Sequence, residues 1–482
     1  MLSMLFLPLL AAVGIALLGR WPDLRETLSI VIAVSVAACA IALYPHVRAG
    51  AVVTVQLAEP LPGLPILLSV EPLGMLFALV AGLLWPVTTL YSIGYMRGHH
   101  DQHQTRFYAL FAVALGCTFG VAFAGNLLTL FLWYELLTLS TVPLVAHAGT
   151  PAARRGARTY LGILLTTSIG LFLLAILITY STAGTLDFRR GGILAGQLDP
   201  AWAGLLYALF IFGIGKAAIM PFHRWLPAAM VAPTPVSALL HAVAVVKAGV
   251  FSVLKITVYI FGTGFITDSG AADWLIWAAG ATILLASLVA MTRDNLKARL
   301  AYSTISQLSY VVLGAMLVTQ PGIVGGALQI VMHAFAKITL FFAAGAILVA
   351  THKTEISDMA GLGRAMPVTF GAFFIGSLSI IGLPPFGGMW SKWYLGMGTI
   401  QAGQWLLLAV LLFSSLLNIA YLLPIPVRAF FAAARDGTAL TGIHEAPHSC
   451  LAAMVITSLA CLLLFFYPDP FYQLALDVNG GK

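Results

Sequence analysis

Five ionisable residues interrupt long apolar stretches at points where a charge is expensive. Glu135 lies in "LLTLFLWYELLTLSTVPL", Lys216 in "GIGKAAIMPFHRWLPAAM", Lys247 in "HAVAVVKAGVF", Lys337 in "MHAFAKITLFF" and Lys392 in "MWSKWYL", with His241 and His333 at comparable depth. A charge at the centre of a lipid-spanning helix costs roughly 2.5 to 3.5 kcal/mol on insertion scales. The cost falls when such groups share a hydrated interior, pair with one another or shed protons, and each remedy opens a route for protons. Lysine suits that chemistry because burial eases its deprotonation, whereas arginine stays charged. None of the deep sites is an arginine.

Helical spacing narrows the pairings. His333 and Lys337 are four residues apart, so they share a face and should exchange a proton directly or through one water. His241 and Lys247, six apart, face different neighbours. Glu135 has no cation within a turn of its own helix, so its partner must come from elsewhere, and Lys216 is the candidate. Moving the carboxylate away would let the lysine proton leave. Pro221, five residues after Lys216, cannot donate a backbone hydrogen bond and should loosen the helix beside the cation, making room for water.

Each feature also has a structural explanation. A membrane lysine near a helix end snorkels to the interface, which applies to Lys255 and, less well, to Lys392. His223 and His241 fit structural roles at helix ends, and Glu135 with Lys216 could be a static ion pair that locks two helices together.

The elements that must position these residues follow from composition. The 482 residues are 60% hydrophobic and 9% charged, which excludes a water-soluble globular chain and indicates an all-α polytopic membrane protein. Apolar runs long enough to span about 30 Å as helices occur at 1–18, 28–45, 72–95, 107–125, 126–147, 157–181, 202–222, 234–260, 273–292, 296–318, 322–350, 366–399, 404–432 and 448–467, about 14 transmembrane helices. The first run lacks a basic leader and a small-residue cleavage site and reads as a retained helix. Between the second and third runs, "AVVTVQLAEPLPGLPILLSV" reads as a β-hairpin outside the membrane, turned by Pro60, Pro62 and Gly63. Cys39, Cys117, Cys450 and Cys461 have no metal-ligand spacing, so no metal, iron–sulfur centre or other cofactor is expected. The net charge of +7 is scattered singly over loops, which argues against nucleic acid as a partner.

Loop charge orients the chain. Loops after odd-numbered runs hold fifteen basic residues (Arg20, Arg25, Arg97, Arg106, Arg154, Arg155, Arg158, Arg224, Arg293, Lys297, Arg299, Lys353, Arg364, Arg428 and Arg435). Loops after even-numbered runs and the C-terminal tail hold four, Arg48, Arg189, Arg190 and Lys482. The positive-inside rule then puts both termini outside. The seventh run carries Lys216 before Pro221 and the twelfth carries Pro384-Pro385 before Lys392. That offset of five runs predicts inverted repeats with broken helices 7 and 12.

These residues resemble a family: the antiporter-like membrane subunits of Mrp-type cation/proton antiporters, respiratory complex I and membrane-bound hydrogenases. The resemblance rests on "WYELLTLSTVPLV", "GIGKAAIMPFHRWLPAAMVAPTPVSALLHAVAVVKAGVFSVLK", "RDNLKARLAYSTISQLSYV", "HAFAKITLFFAAGAI" and "GLPPFGGMWSKWYL", over most of residues 70–400. It implies fourteen helices with two inverted five-helix repeats around a hydrated polar axis. In that scheme Glu135 looks like the fifth-helix glutamate, Lys216 the seventh-helix lysine and Lys247 the eighth-helix connecting lysine. His333 and Lys337 match the eleventh-helix pair, and Lys392 takes the twelfth-helix exit position, where one complex I branch has glutamate. The organisation implied is an N-terminal three-helix segment with an external hairpin (1–106), repeats at 107–262 and 273–432, and a C-terminal helix and tail (433–482). Without a long C-terminal lateral helix, size and motifs most resemble the D-type antiporter-like component of Mrp complexes. The implied function is proton conduction in a multisubunit Na+/H+ antiporter of the bacterial inner membrane, with other membrane subunits, lipid, H+ and Na+ as partners. The alternatives are a redox-driven proton pump and a scaffold that conducts nothing.

Overall fold

The computed structural model describes residues 1–51, 53–433 and 442–480, so Arg435 and Lys482 lie outside the described residues. Helices follow one another as α1 (Leu2–Leu17), α2 (Pro22–Arg48), α3 (Pro72–Gly98), α4 (Gln104–Ala122) and α5 (Leu127–Val145). Next come α6 (Pro151–Ala183), the broken α7 (Pro200–Gly213, resuming at Trp225–Ala228) and α8 (Thr234–Phe261). The remainder are α9 (Leu275–Thr292), α10 (Leu296–Met316), α11 (Gln320–Thr351), the broken α12 (Pro367–Ile381 and Gly388–Gln401), α13 (Trp405–Phe431), α14 (His448–Phe466) and the short α15 (Asp469–Asp477). Among the described residues, ten helices are long and apolar enough to cross a membrane. Each of the fourteen expected runs overlaps one of α1 to α14, of which α1, α7, α10 and α12 are not among these ten.

Helix starts are set by local chemistry. Asn126, Thr150, Asp199, Asn295 and Thr319 each accept a backbone N–H of the first turn they precede, and Pro151 and Pro200 occupy the first helical position. Glu71 caps α3 by accepting from the N–H groups of Leu73 and Gly74 at 2.8 and 2.9 Å. The expected hairpin forms from β1 (Val53–Leu61) and β2 (Leu64–Val70). Its turn is Pro62-Gly63 alone, with Gly63 at φ +78°, while Pro60 lies within β1.

Loops sort into two ends. The hairpin packs on the α4–α5 connection through Ser69 N–H to the Phe123 carbonyl (2.7 Å), and Arg189 N–H donates to the Tyr259 carbonyl (3.1 Å). Gln320 reaches the Leu476 carbonyl. These segments all follow even-numbered helices or end them, and together form the hairpin end. At the opposite end Arg97 pairs with Asp23 and Glu26, Arg106 donates to the His147 carbonyl, and Asn295 bonds Glu355.

Burial marks the core. The hydrophobic window of α8 is wholly buried, those of α3 and α11 are 78% buried, and that of α2 only 28%. Lys247, His333 and Lys337 therefore ride on innermost helices.

The two breaks are where sequence reading and structure differ most. The seventh run was expected to continue to residue 222, yet α7 stops at Gly213 and Lys216 lies in a single tight turn, Gly215–Ala217, followed by Ala218 at φ +56°. Unwinding begins at Ile214, several residues before Pro221, which itself lies inside the break. Close approach is what the site requires: a Cβ on Gly249 of α8 would sit 2.4 Å from the Lys216 carbonyl carbon. In α12 a Cβ on Gly388 would sit 1.8 Å from the Ser379 carbonyl oxygen.

Gly249→Val is expected to cost about 1–3 kcal/mol through overpacking and to lower the melting temperature in detergent. Gly264→Ala, where a Cβ meets open space, should leave it unchanged.

Candidate functional site

Lys216 is buried at the α7 break, facing α5. Its ammonium donates to the Tyr134 carbonyl at 2.8 Å and the Thr138 hydroxyl at 2.6 Å, and lies 3.1 Å from the centre of the Tyr134 ring. The Tyr134 hydroxyl accepts the Lys216 backbone N–H at 3.1 Å, and Trp225 donates to the Gly215 carbonyl at 2.9 Å. A helix carbonyl, a hydroxyl and an aromatic face of α5 thus take the place of a counter-ion.

Glu135 is not in contact with Lys216. Among the described residues it joins no ion pair within 4.0 Å, and both carboxylate oxygens are buried without a hydrogen-bond partner. In this conformation the expected pair is apart, because Tyr134 and Thr138, on the α5 face one residue round from Glu135, hold the cation.

Lys247 on α8 and His333 on α11 meet directly, Nζ to Nδ1 at 2.7 Å. His333 was expected to work with Lys337 on its own helix; the hydrogen bond instead crosses to α8. Lys337 donates to the Ser303 hydroxyl of α10 at 2.8 Å. Tyr421 of α13 donates to the same hydroxyl at 3.0 Å and bonds Asn418. The His241 ring lies tilted against Phe341 with centroids 4.9 Å apart, and among the described residues neither of its ring nitrogens has a hydrogen-bond partner.

Lys392, in the second half of α12, reaches back over the break to the Ile381 carbonyl at 2.9 Å and to Ser415 of α13 at 2.9 Å. Ile381 ends the first half-helix, whose last carbonyls carry the negative end of the dipole. A chain of amides leads there from α10: Gln329 donates to Gln307 at 2.8 Å, and Ser391, next to Lys392, donates to Gln329 at 2.6 Å.

Lys255 does not snorkel. It is fully buried, bonds Glu71 at 3.0 Å and donates to the Ala124 carbonyl at 2.7 Å.

The structure therefore brings Lys247 to His333, sets Lys337 one turn beyond, and holds Lys216, Lys337 and Lys392 each by separate neutral groups. Tyr134, Thr138, Ser303, Gln307, Gln329, Ser391, Ser415, Asn418 and Tyr421 were missed in the sequence. Only a search for buried hydroxyls and amides in register with the lysines would have found them. Protonated lysine, imidazole and hydroxyl groups in such sequence can pass protons in single hydrogen-bond steps when water bridges the gaps. Among the described residues no three His, Cys, Asp or Glu side chains are grouped to hold a metal, and the four cysteines are free.

Fold and site together define a polytopic membrane protein built around a buried polar axis. Residues 124–418 match the family described as NADH:quinone oxidoreductase/Mrp antiporter, transmembrane. NADH-quinone oxidoreductase subunit N of Desulforudis audaxviator is 35% identical over 365 residues, 73% of this chain and 70% of that protein. The A/B polypeptide of a probable K+/H+ antiporter of Rhizobium meliloti is 33% identical over 357 residues, 73% of this chain but 35% of the relative. A chain of the Mrp complex from Dietzia sp. DQ12-45-1b shares the fold, with a TM-score of 0.87 over 99% of this chain and 96% of that one at 22% identity. The chain belongs to the membrane-subunit family shared by NADH:quinone oxidoreductases and Mrp antiporters.

A double-mutant cycle of Lys247→Met and His333→Leu, read by thermal unfolding, is expected to give a coupling of about 0.5–3 kcal/mol. The cycle for His333 and Lys337 should give less.

Proposed function

We propose that this chain is the proton-conducting subunit of a multisubunit Na+/H+ antiporter, similar to the D-type component of Mrp complexes, in which Glu135, Lys216, Lys247, His333, Lys337 and Lys392 relay protons. The observation that carries this reading is the 2.7 Å contact between Lys247 and His333 on two buried helices. A lysine amine and an imidazole at that distance hold one proton between them, which either group can pass on. Lys216 rests on neutral acceptors; Glu135 swinging toward it would hold the proton on the lysine and Glu135 moving away would let it leave, so the separation of the two side chains is the switch.

The breaks in α7 and α12 are treated as equivalent parts of inverted repeats spanning 107–262 and 273–432, with α1–α3 and the C-terminal segment outside them. The hairpin end is assigned to the outer face of a bacterial inner membrane, since the basic loops gather at the other end. Exposed Leu132, Leu136 and Leu139 border Glu135 on α5, and this face is assigned to a neighbouring membrane protein of the complex, which would seal the carboxylate from lipid.

A redox-driven proton pump is the second reading. It is favoured by subunit N, whose length this chain covers far more fully than that of the antiporter relative. Flavin or iron–sulfur subunits co-purifying with the chain would select the pump, and small membrane subunits alone the antiporter.

Glu135→Ala or Lys216→Ala is expected to abolish proton-coupled cation transport in proteoliposomes while the complex still assembles. Undiminished transport in an assembled variant would falsify the relay, as would a scaffold's indifference to neutralising the other lysines.

A further inference from the structure

A second charged cluster lies off this axis, at the hairpin end. A cavity of about 390 Å³ opens there between α2, β2, the α4–α5 connection, α8 and the segment after α15. Glu71 and Lys255 form part of its wall, with Tyr259 beside them. The Glu71 carboxylate accepts from Lys255 at 3.0 Å and from the Tyr259 hydroxyl at 3.0 Å, besides capping α3. Arg48 pairs with Asp477 at the rim. Lys255 is fully buried yet lies in the wall of this cavity, and the Glu71 carboxylate bonded to it is partly exposed there.

What lies on the interior side follows from α8. Lys247, Phe251 and Lys255 are spaced by four residues, so they climb one stripe of the helix. Phe251 is therefore the side chain between the two lysines. Its ring centroid is 5.2 Å from the Lys255 ammonium and 5.1 Å from the ring of Phe77 on α3. Both rings are fully buried. An apolar plug of this kind excludes water and stops proton transfer until the rings part.

Resting on the relay reading above, we propose that Lys255 and Glu71 form a proton-exchange site between the hairpin-end cavity and Lys247, gated by the Phe251–Phe77 pair. The Lys255 ammonium gives its proton to cavity water, and the amine left behind takes the proton released by the Lys247 ammonium when the rings separate. Glu71 holds the charged form in place. Transfer in the reverse sense uses the same groups. The axis thus has an outlet on α8, in the first half of the chain, distinct from the position of Lys392.

Two measurements on the assembled complex in proteoliposomes test this. Phe251→Ala removes the plug without altering any charge; passive proton leak, read with a trapped pH dye, should rise about ten-fold, the equivalent of one decade in rate. The leak should vanish when Lys247→Ala is added. Lys255→Arg keeps a cation on Glu71 but one that does not release its proton, so coupled transport should fall about ten-fold. A merely structural ion pair predicts native transport in that variant. Should Phe251→Ala fail to assemble, Phe251→Leu serves, with a smaller rise in the same direction. An unchanged leak, a leak indifferent to Lys247, or native transport in Lys255→Arg each overturns the proposal. Loss of the relay reading itself appears separately, as transport persisting in Lys216→Ala.

Discussion

The arrangement depends on one constraint: an ammonium group buried among apolar helices must find acceptors, and here it finds them mostly in neutral oxygens rather than carboxylates. Lys216 bonds a main-chain carbonyl and a threonine, Lys392 a half-helix terminus and a serine, and Lys337 a serine. Carboxylate partners would hold each lysine charged and fixed. Neutral acceptors satisfy the hydrogen bonds while leaving the charge free to depart with the proton. The exception is Lys255, whose carboxylate partner stands at the edge of a cavity where water can intervene.

One of those oxygens, the Ile381 carbonyl, comes from a helix end, where carbonyls lack an intrahelical partner. The Tyr134 carbonyl lies within the unbroken α5 and accepts the lysine with its second lone pair. The interruption in α12 frees the first, the one in α7 sets Lys216 against α5, and glycines permit the tight packing around both: Gly249 lets α8 come up against the Lys216 backbone, and Gly388 lets one half of α12 approach the other. The two sites differ in how the lysine meets its break. Lys216 is inside the unwound segment, while Lys392 stands on regular helix and stretches back across the gap.

Much of this was legible in the sequence. Hydropathy located α1 to α14, since lipid demands long apolar runs, but not the short α15, and the hairpin followed from the turn residues Pro60, Pro62 and Gly63. The lysines announced themselves by their apolar surroundings. Their partners did not. Helical spacing joined His333 to Lys337 because it speaks only of one helix, whereas the hydrogen bond to Lys247 depends on how α8 and α11 pack. Opposite charge joined Glu135 to Lys216, yet Tyr134 and Thr138 are better placed on the same helix. Lys255 sat near a helix end and resembled a snorkelling residue, because nothing local reveals that Glu71, 184 positions earlier, closes over it. Serine and glutamine gave no signal at all, being common wherever membrane helices touch.

The enclosure of α8 has a further consequence for how the molecule is made. A segment sheathed on all sides by protein never contacts lipid in the finished fold, so its composition answers to its neighbours and not to the bilayer. That freedom is what lets one helix carry Lys247, Lys255 and His241 together. During synthesis, however, α8 emerges before α9 to α14 exist, and three ionisable groups oppose its leaving the translocon alone. α8 packs against α10 and α11, so its enclosure by protein is completed only by the second half of the chain.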